Sequence, residues 1–118
     1  MASTSVKAAK RWYWQRITAM LMAFFVLVHV AVIMYAINGG LSAAEVLGRT
    51  RGNILWAAYY AVFVLLASVH ASIGIRNVLA EWLRTKDAVA SAVANILALV
   101  LLGLGLKAVW AVTVGGAP

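Results

Sequence analysis

Three uninterrupted apolar runs, over about residues 17–37, 54–75 and 88–112, constrain this chain more than any other feature. At about 1.5 Å per residue, each is long enough as a helix to cross a hydrocarbon core of about 30 Å. Lipid offers backbone N–H and C=O groups no partner. A spanning segment must therefore close its hydrogen bonds inside a helix or a closed barrel. The runs lack the alternation of apolar and polar residues that barrel strands require. The expected fold is an all-α membrane protein, an antiparallel bundle of three transmembrane helices forming one domain over residues 1–118. Hydrophobic residues make up 65% of the chain, more than a soluble domain of 118 residues can bury.

The boundaries of the runs are marked by residues that prefer the headgroup layer. Trp12, Tyr13 and Trp14 precede the first run, Trp56, Tyr59 and Tyr60 stand at the entry of the second, and Trp82 follows its polar extension. Residues 1–15 read as a short polar and basic lead. Asn38-Gly39-Gly40 predicts a helix stop, because Asn and Gly tolerate the left-handed conformation of a C-cap. Ser42-Ala43-Ala44-Glu45 resembles a capping box and predicts a short surface helix between the first two spans. Ala90, Ser91, Ala94, Ala98, Gly103 and Gly105 give the third span small side chains for close helix approach. Gly115 to Pro118 reads as a tail. The first run exceeds the usual apolar core of a signal peptide, so it is expected to be a retained span.

The formal net charge is +7. Lys7, Lys10, Arg11, Arg16, Arg76, Arg84 and Lys86 fall at one end of a three-span bundle, and Arg49, Arg51 and a snorkelling Lys107 at the other. The positive-inside rule then puts the N-terminus in the cytoplasm. In a membrane protein such an excess marks topology and contact with anionic lipid. It is not a nucleic-acid footprint, since no basic run is interleaved with stacking aromatics in a polar context. The chain has no cysteine. That excludes disulfides, thiolate metal sites and thioether-linked haem.

His70, Gly74, Asn77 and Glu81 share one stripe of the second helix at about 100° per residue. Tyr59 and Phe63 extend the stripe into the membrane. His70 lies about 16 Å from the polar end of its helix, where an ionisable group is costly and a functional role is the default expectation. A neutral imidazole offers one lone pair to a metal, and haem iron is a common intramembrane acceptor. Gly74, one turn on, leaves room for a flat cofactor beside the helix. A packed histidine bonded to a neighbouring helix is the competing reading of His70. His29, at a similar depth in the first span, is a candidate second ligand, and a packed histidine is again the competing reading. Arg16 and Thr18 open the first span, where a guanidinium can meet a propionate, a quinone carbonyl or a lipid phosphate. Glu81 can relay protons at a membrane edge, and Trp82 can donate to a carbonyl. Arg76 reads as a boundary side chain snorkelling to the headgroups, and Asn95 as interhelical glue.

Two motifs carry a family resemblance. Arg16-Ile17-Thr18-Ala19 opens the first span, and His70-x-x-x-Gly74-Ile75-Arg76 is followed by Glu81-Trp82. In these motifs, and in length and span count, the chain resembles the cytochrome b-type membrane-anchor subunits of succinate dehydrogenase and fumarate reductase. Glu81-Trp82 stands where that family commonly has Asp-Tyr, and Gln15 where a His often precedes the Arg. The resemblance implies no catalytic residue in this chain alone. It implies His70 as an axial ligand of haem b iron, Gly74 packed against the haem, and Arg16 at its propionates or at the quinone. Thr18, Glu81 and Trp82 are then near a quinone headgroup, ubiquinone or menaquinone. It also implies an iron–sulfur subunit and an FAD-bearing flavoprotein subunit as partners, a second membrane-anchor chain, and multi-pass placement in the bacterial inner membrane. A haem-free structural membrane module and a small transport or channel subunit are the alternatives left open by the residues themselves.

Overall fold

The computed structural model describes residues 2–114, with side chains from residue 5 onward. The tail expected from Gly115 to Pro118 lies outside the described residues. Four helices and no strand are present among them: α1 (Ala2–Ile37), α2 (Ala43–Thr50), α3 (Ile54–Glu81) and α4 (Asp87–Thr113). α1, α3 and α4 are long and apolar enough to cross a membrane, which bears out the three-span reading. Each lies antiparallel to the next, and α3 packs against both of the others, most extensively against α4.

The expected polar lead is not a separate tail. α1 is one helix of 36 residues, about 54 Å long by its rise, and it runs the length of a molecule 55 Å in its longest dimension. The reason is local. No Gly or Pro occurs before Gly39, and the lead is rich in Ala, Lys and Arg, which favour a helix. Basic and aromatic side chains of the lead are thereby carried on helical faces.

The interior of the bundle is built from small and hydroxylic side chains. Ala90 and Ala94 of α4 are buried, as are Thr18, Ser68 and Thr113, whereas Phe24, Leu27 and Leu99 face outward. Small residues let helix backbones approach where lipid leaves no hydrophobic force to drive them together. Gly105 marks the tightest approach. A Cβ on it would lie 2.5 Å from Val64 Cγ1 of α3. Gly103, expected in the same role, faces open space, because two residues along a helix turn a side chain about 200° away.

The connections fix the two ends. At the first, Gly40 takes φ +99° and turns the chain out of α1. Arg49 of α2 donates from Nη2 to the carbonyls of Gly40 at 2.8 Å and Ala36 at 3.4 Å. A cation thus closes the helix end that exposes unpaired carbonyls. Ser42 caps α2 as its sequence predicts, accepting from the Glu45 N–H at 3.2 Å. The Thr50 hydroxyl donates to Val112 O at 2.6 Å, and the Gly52 N–H to Thr113 O at 2.6 Å, so α2 is tied to the end of α4. Asn53 caps α3 by accepting from the N–H groups of Leu55 and Trp56. At the opposite end Arg84 adopts φ 53° in the tight turn to α4. This end gathers the basic residues of α1 with those of α3 and of the α3–α4 turn.

Candidate cofactor site

The helical stripe on α3 meets α1 near this basic end. A cavity of about 480 Å³ lies between them. From α3 it is lined by His70, Arg76, Asn77 and Glu81, three of which belong to the stripe read from the sequence. From α1 come Ala8, Arg11, Trp12, Gln15, Arg16 and Ala19, the face at spacings of three and four residues. The alanines leave space that larger side chains would fill. The guanidinium of Arg16 stands over the Trp12 ring, 5.0 Å from its centroid, which holds a mobile cation at the rim. Three guanidinium groups line the cavity against the carboxylate of Glu81, and with Asp87 paired to Arg76 a surplus of one positive charge makes it attractive to anions.

Thr18 sets the state of His70. It is 2% exposed, and its Oγ1 lies 2.7 Å from Trp14 O, 3.2 Å from Gln15 O and 3.2 Å from His70 Nδ1. A carbonyl only accepts, and a hydroxyl has one proton. The shortest contact assigns that proton to Trp14 O, so at His70 the hydroxyl oxygen accepts from Nδ1–H. The other ring nitrogen, Nε2, then keeps its lone pair on the ring that lines the cavity. A histidine with one nitrogen hydrogen-bonded and the other free is the arrangement that suits a metal ligand.

Two buried atoms beside His70 make no hydrogen bond among the described residues: Gln15 Oε1 and Arg76 Nε. Buried polar atoms without partners are costly. With the free imidazole nitrogen and the surplus positive charge, they fit a cofactor that brings iron, carboxylates or carbonyl groups. The residues present therefore suit a haem with its propionates or a quinone headgroup.

The other expected residues fall in several places. Gly74 faces α1, where a Cβ would lie 3.4 Å from Gln15 Nε2, so the amide of Gln15 covers it. Trp82 is the C-cap of α3, 78% exposed and outside the cavity lining. Arg76 is paired at the polar end of the bundle. Its side chain is 12% exposed and donates to Asp87 Oδ1 at 2.9 Å, in the first turn of α4. Asp87 is itself 70% exposed at the start of α4, so the guanidinium reaches toward the polar boundary, as a snorkelling side chain does. His29 is not brought to His70. Its ring meets Tyr60 and Phe63 edge-on, at 5.7 and 6.4 Å between centroids. It lines an apolar cavity with Thr50, Val64 and Val109. Thr18 lies level with His70, so His29, eleven residues further, is about 16 Å deeper. Equal depth was expected from counting inward from Arg16 and from Glu81. The helices are staggered instead, and the last polar turn of α3 faces the lead of α1. That lead also explains why Arg11, Trp12 and Gln15 were not singled out as site residues. Their spacing was visible, but only continued helix makes it a face.

The succinate dehydrogenase/fumarate reductase transmembrane subunit family matches residues 3–106, covering α2, α3 and most of α1 and α4. The chain belongs to that family, and it is a multi-pass membrane-anchor subunit. No curated protein and no solved structure matches it.

Proposed function

We propose that this chain docks the iron–sulfur and flavoprotein subunits of a succinate:quinone oxidoreductase to the cytoplasmic face of the bacterial inner membrane. It helps bind haem b and passes electrons to a quinone, ubiquinone or menaquinone. The observation that carries this reading is the Thr18–His70 hydrogen bond, which leaves one imidazole nitrogen free on a cavity rich in guanidinium. His70 Nε2 would ligate the haem iron, and Arg16 would pair with a propionate or with the quinone. When bound, haem supplies one-electron transfer, and the quinone takes up electrons and protons. The chain's own residues position these groups and manage charge. Thr18 holds the imidazole in one tautomer and one orientation. Glu81, exposed at the mouth of the cavity, would relay protons to a reducible headgroup bound there. Arg11 and Arg16 draw anionic groups toward the basic end. His70 is the one imidazole lining the cavity, so a further protein ligand to the iron would come from a second anchor chain. The flavoprotein would carry FAD and the succinate–fumarate chemistry.

The test is a reduced-minus-oxidised visible spectrum of the purified complex, compared for wild type, His70→Ala and His29→Ala. A b-type spectrum lost with His70→Ala and kept with His29→Ala is the expected result. A wild-type complex without that spectrum, or one whose haem survives His70→Ala, would overturn the assignment.

A further inference from the structure

A second polar cavity, about 210 Å³, opens where Arg11 of α1 reaches the groove between α3 and α4. Ser72 and Arg76 of α3 line it with Ser91 and Asn95 of α4. His70, Arg16 and Glu81 do not. Apart from Arg76, its polar groups are unspent. Ser72, Ser91 and Asn95 make no side-chain hydrogen bond among the described residues, and Arg11 has no carboxylate partner among them. Arg76 gives Nη2 to Asp87 and Nη1 to Asn77 Oδ1 at 3.3 Å, while its buried Nε has no partner among the described residues. Two guanidinium groups against one carboxylate leave a surplus of one positive charge.

The polar groups are also ordered by depth. Counted from Asp87 at the start of α4, Ser91 lies about 6 Å and Asn95 about 12 Å along the axis. A free anion would meet the guanidinium groups but has nothing to offer an amide that deep. A glycerophospholipid does. Its phosphodiester carries one negative charge, and its acyl ester carbonyls lie one glycerol deeper, followed by chains that suit the apolar flank of the groove. An exposed Asn on a lipid-facing helix is costly unless something accepts its N–H groups.

We propose that this groove is a specific binding site for one anionic glycerophospholipid. Arg11 and Arg76 hold the phosphodiester, and Ser91 and Asn95 donate to an acyl ester carbonyl. Arg11 and Arg76 also border the cavity beside His70, whereas Ser91 and Asn95 belong to this groove alone, so the Asn95 variant tests it apart from the haem assignment.

Native mass spectrometry of the purified, delipidated complex tests it, by titration with phosphatidylglycerol, phosphatidylcholine or inorganic phosphate. The wild-type complex is expected to retain one phosphatidylglycerol about tenfold more tightly than phosphatidylcholine. Asn95→Leu, which keeps the number of side-chain heavy atoms and the branch at Cγ and suits lipid, is expected to weaken retention about fivefold with an unchanged melting temperature. Arg11→Gln is expected to erase the preference for the anionic lipid. Equal retention in wild type and Asn95→Leu would overturn the proposal. Full displacement of the lipid by millimolar inorganic phosphate would mark a free-anion site instead. Loss of a protein subunit on Asn95→Leu, with lipid retention unchanged, would make the groove a protein interface.

Discussion

Thr18 is buried between α1 and α3 with a single hydroxyl proton to give, and His70 depends on where that proton goes. Thr18→Val keeps the shape and removes the acceptor at Nδ1. Loss of such a supporting contact typically weakens a metal site about 10–100-fold. Thr18→Val is therefore expected to lower haem retention in the purified complex by that order, while Thr18→Ser keeps it. Haem content per complex, read from the reduced spectrum, checks both. Equal retention in the Val and Ser variants would show that the hydroxyl does not support His70. At this scale the sequence was partly legible. His70, Asn77 and Glu81 share a face because a helix repeats every 3.6 residues. The partner of His70 was not legible as such. Thr18 stands 52 residues away, and nothing local to either residue selects the other.

Among the elements, α4 distinguishes two glycines that look alike in the sequence. A Cβ at residue 105 would press into Val64, and one at residue 103 would meet nothing. Gly105→Leu is expected to destabilise the α3–α4 pair by about 1–3 kcal/mol through overpacking. Gly103→Leu is expected to be silent within error. Thermal unfolding of the detergent-solubilised protein compares them, and equal melting temperatures would contradict the packing described here. Arg49 offers a second case. Read in the sequence as an ordinary loop charge, it closes the carbonyl end of α1. Arg49→Ala is expected to cost about 1 kcal/mol, with the loss reduced at high salt. Its melting temperature at low and high ionic strength measures this. The short helix bearing Arg49 was legible from Ser42 and Glu45, because a cap is a local motif. Its docking was not, because Thr50 and Gly52 bond to the far end of the chain.

In the whole molecule, the basic residues of α1, of α3 and of the α3–α4 turn share one end, which makes the charge asymmetry a property of the bundle. The positive-inside rule then predicts a cytoplasmic N-terminus. The chain has no native cysteine, so single substitutions report sidedness directly. In intact cells, Ser42→Cys in the α1–α2 turn is expected to react with a membrane-impermeant maleimide. Thr85→Cys in the α3–α4 turn is expected to react only after lysis, and the reverse pattern would invert the orientation. Span number, helix type and end-to-end charge follow from the sequence alone, because lipid forces the backbone to satisfy itself within each segment and the apolar runs are unambiguous in length. The stagger of α1 against α3 was decided only in the tertiary structure. It puts Thr18 beside His70 and carries His29 to a different cavity. Stagger depends on how small residues let one helix surface settle on another, a sum over contacts between distant segments that no periodicity within one segment encodes.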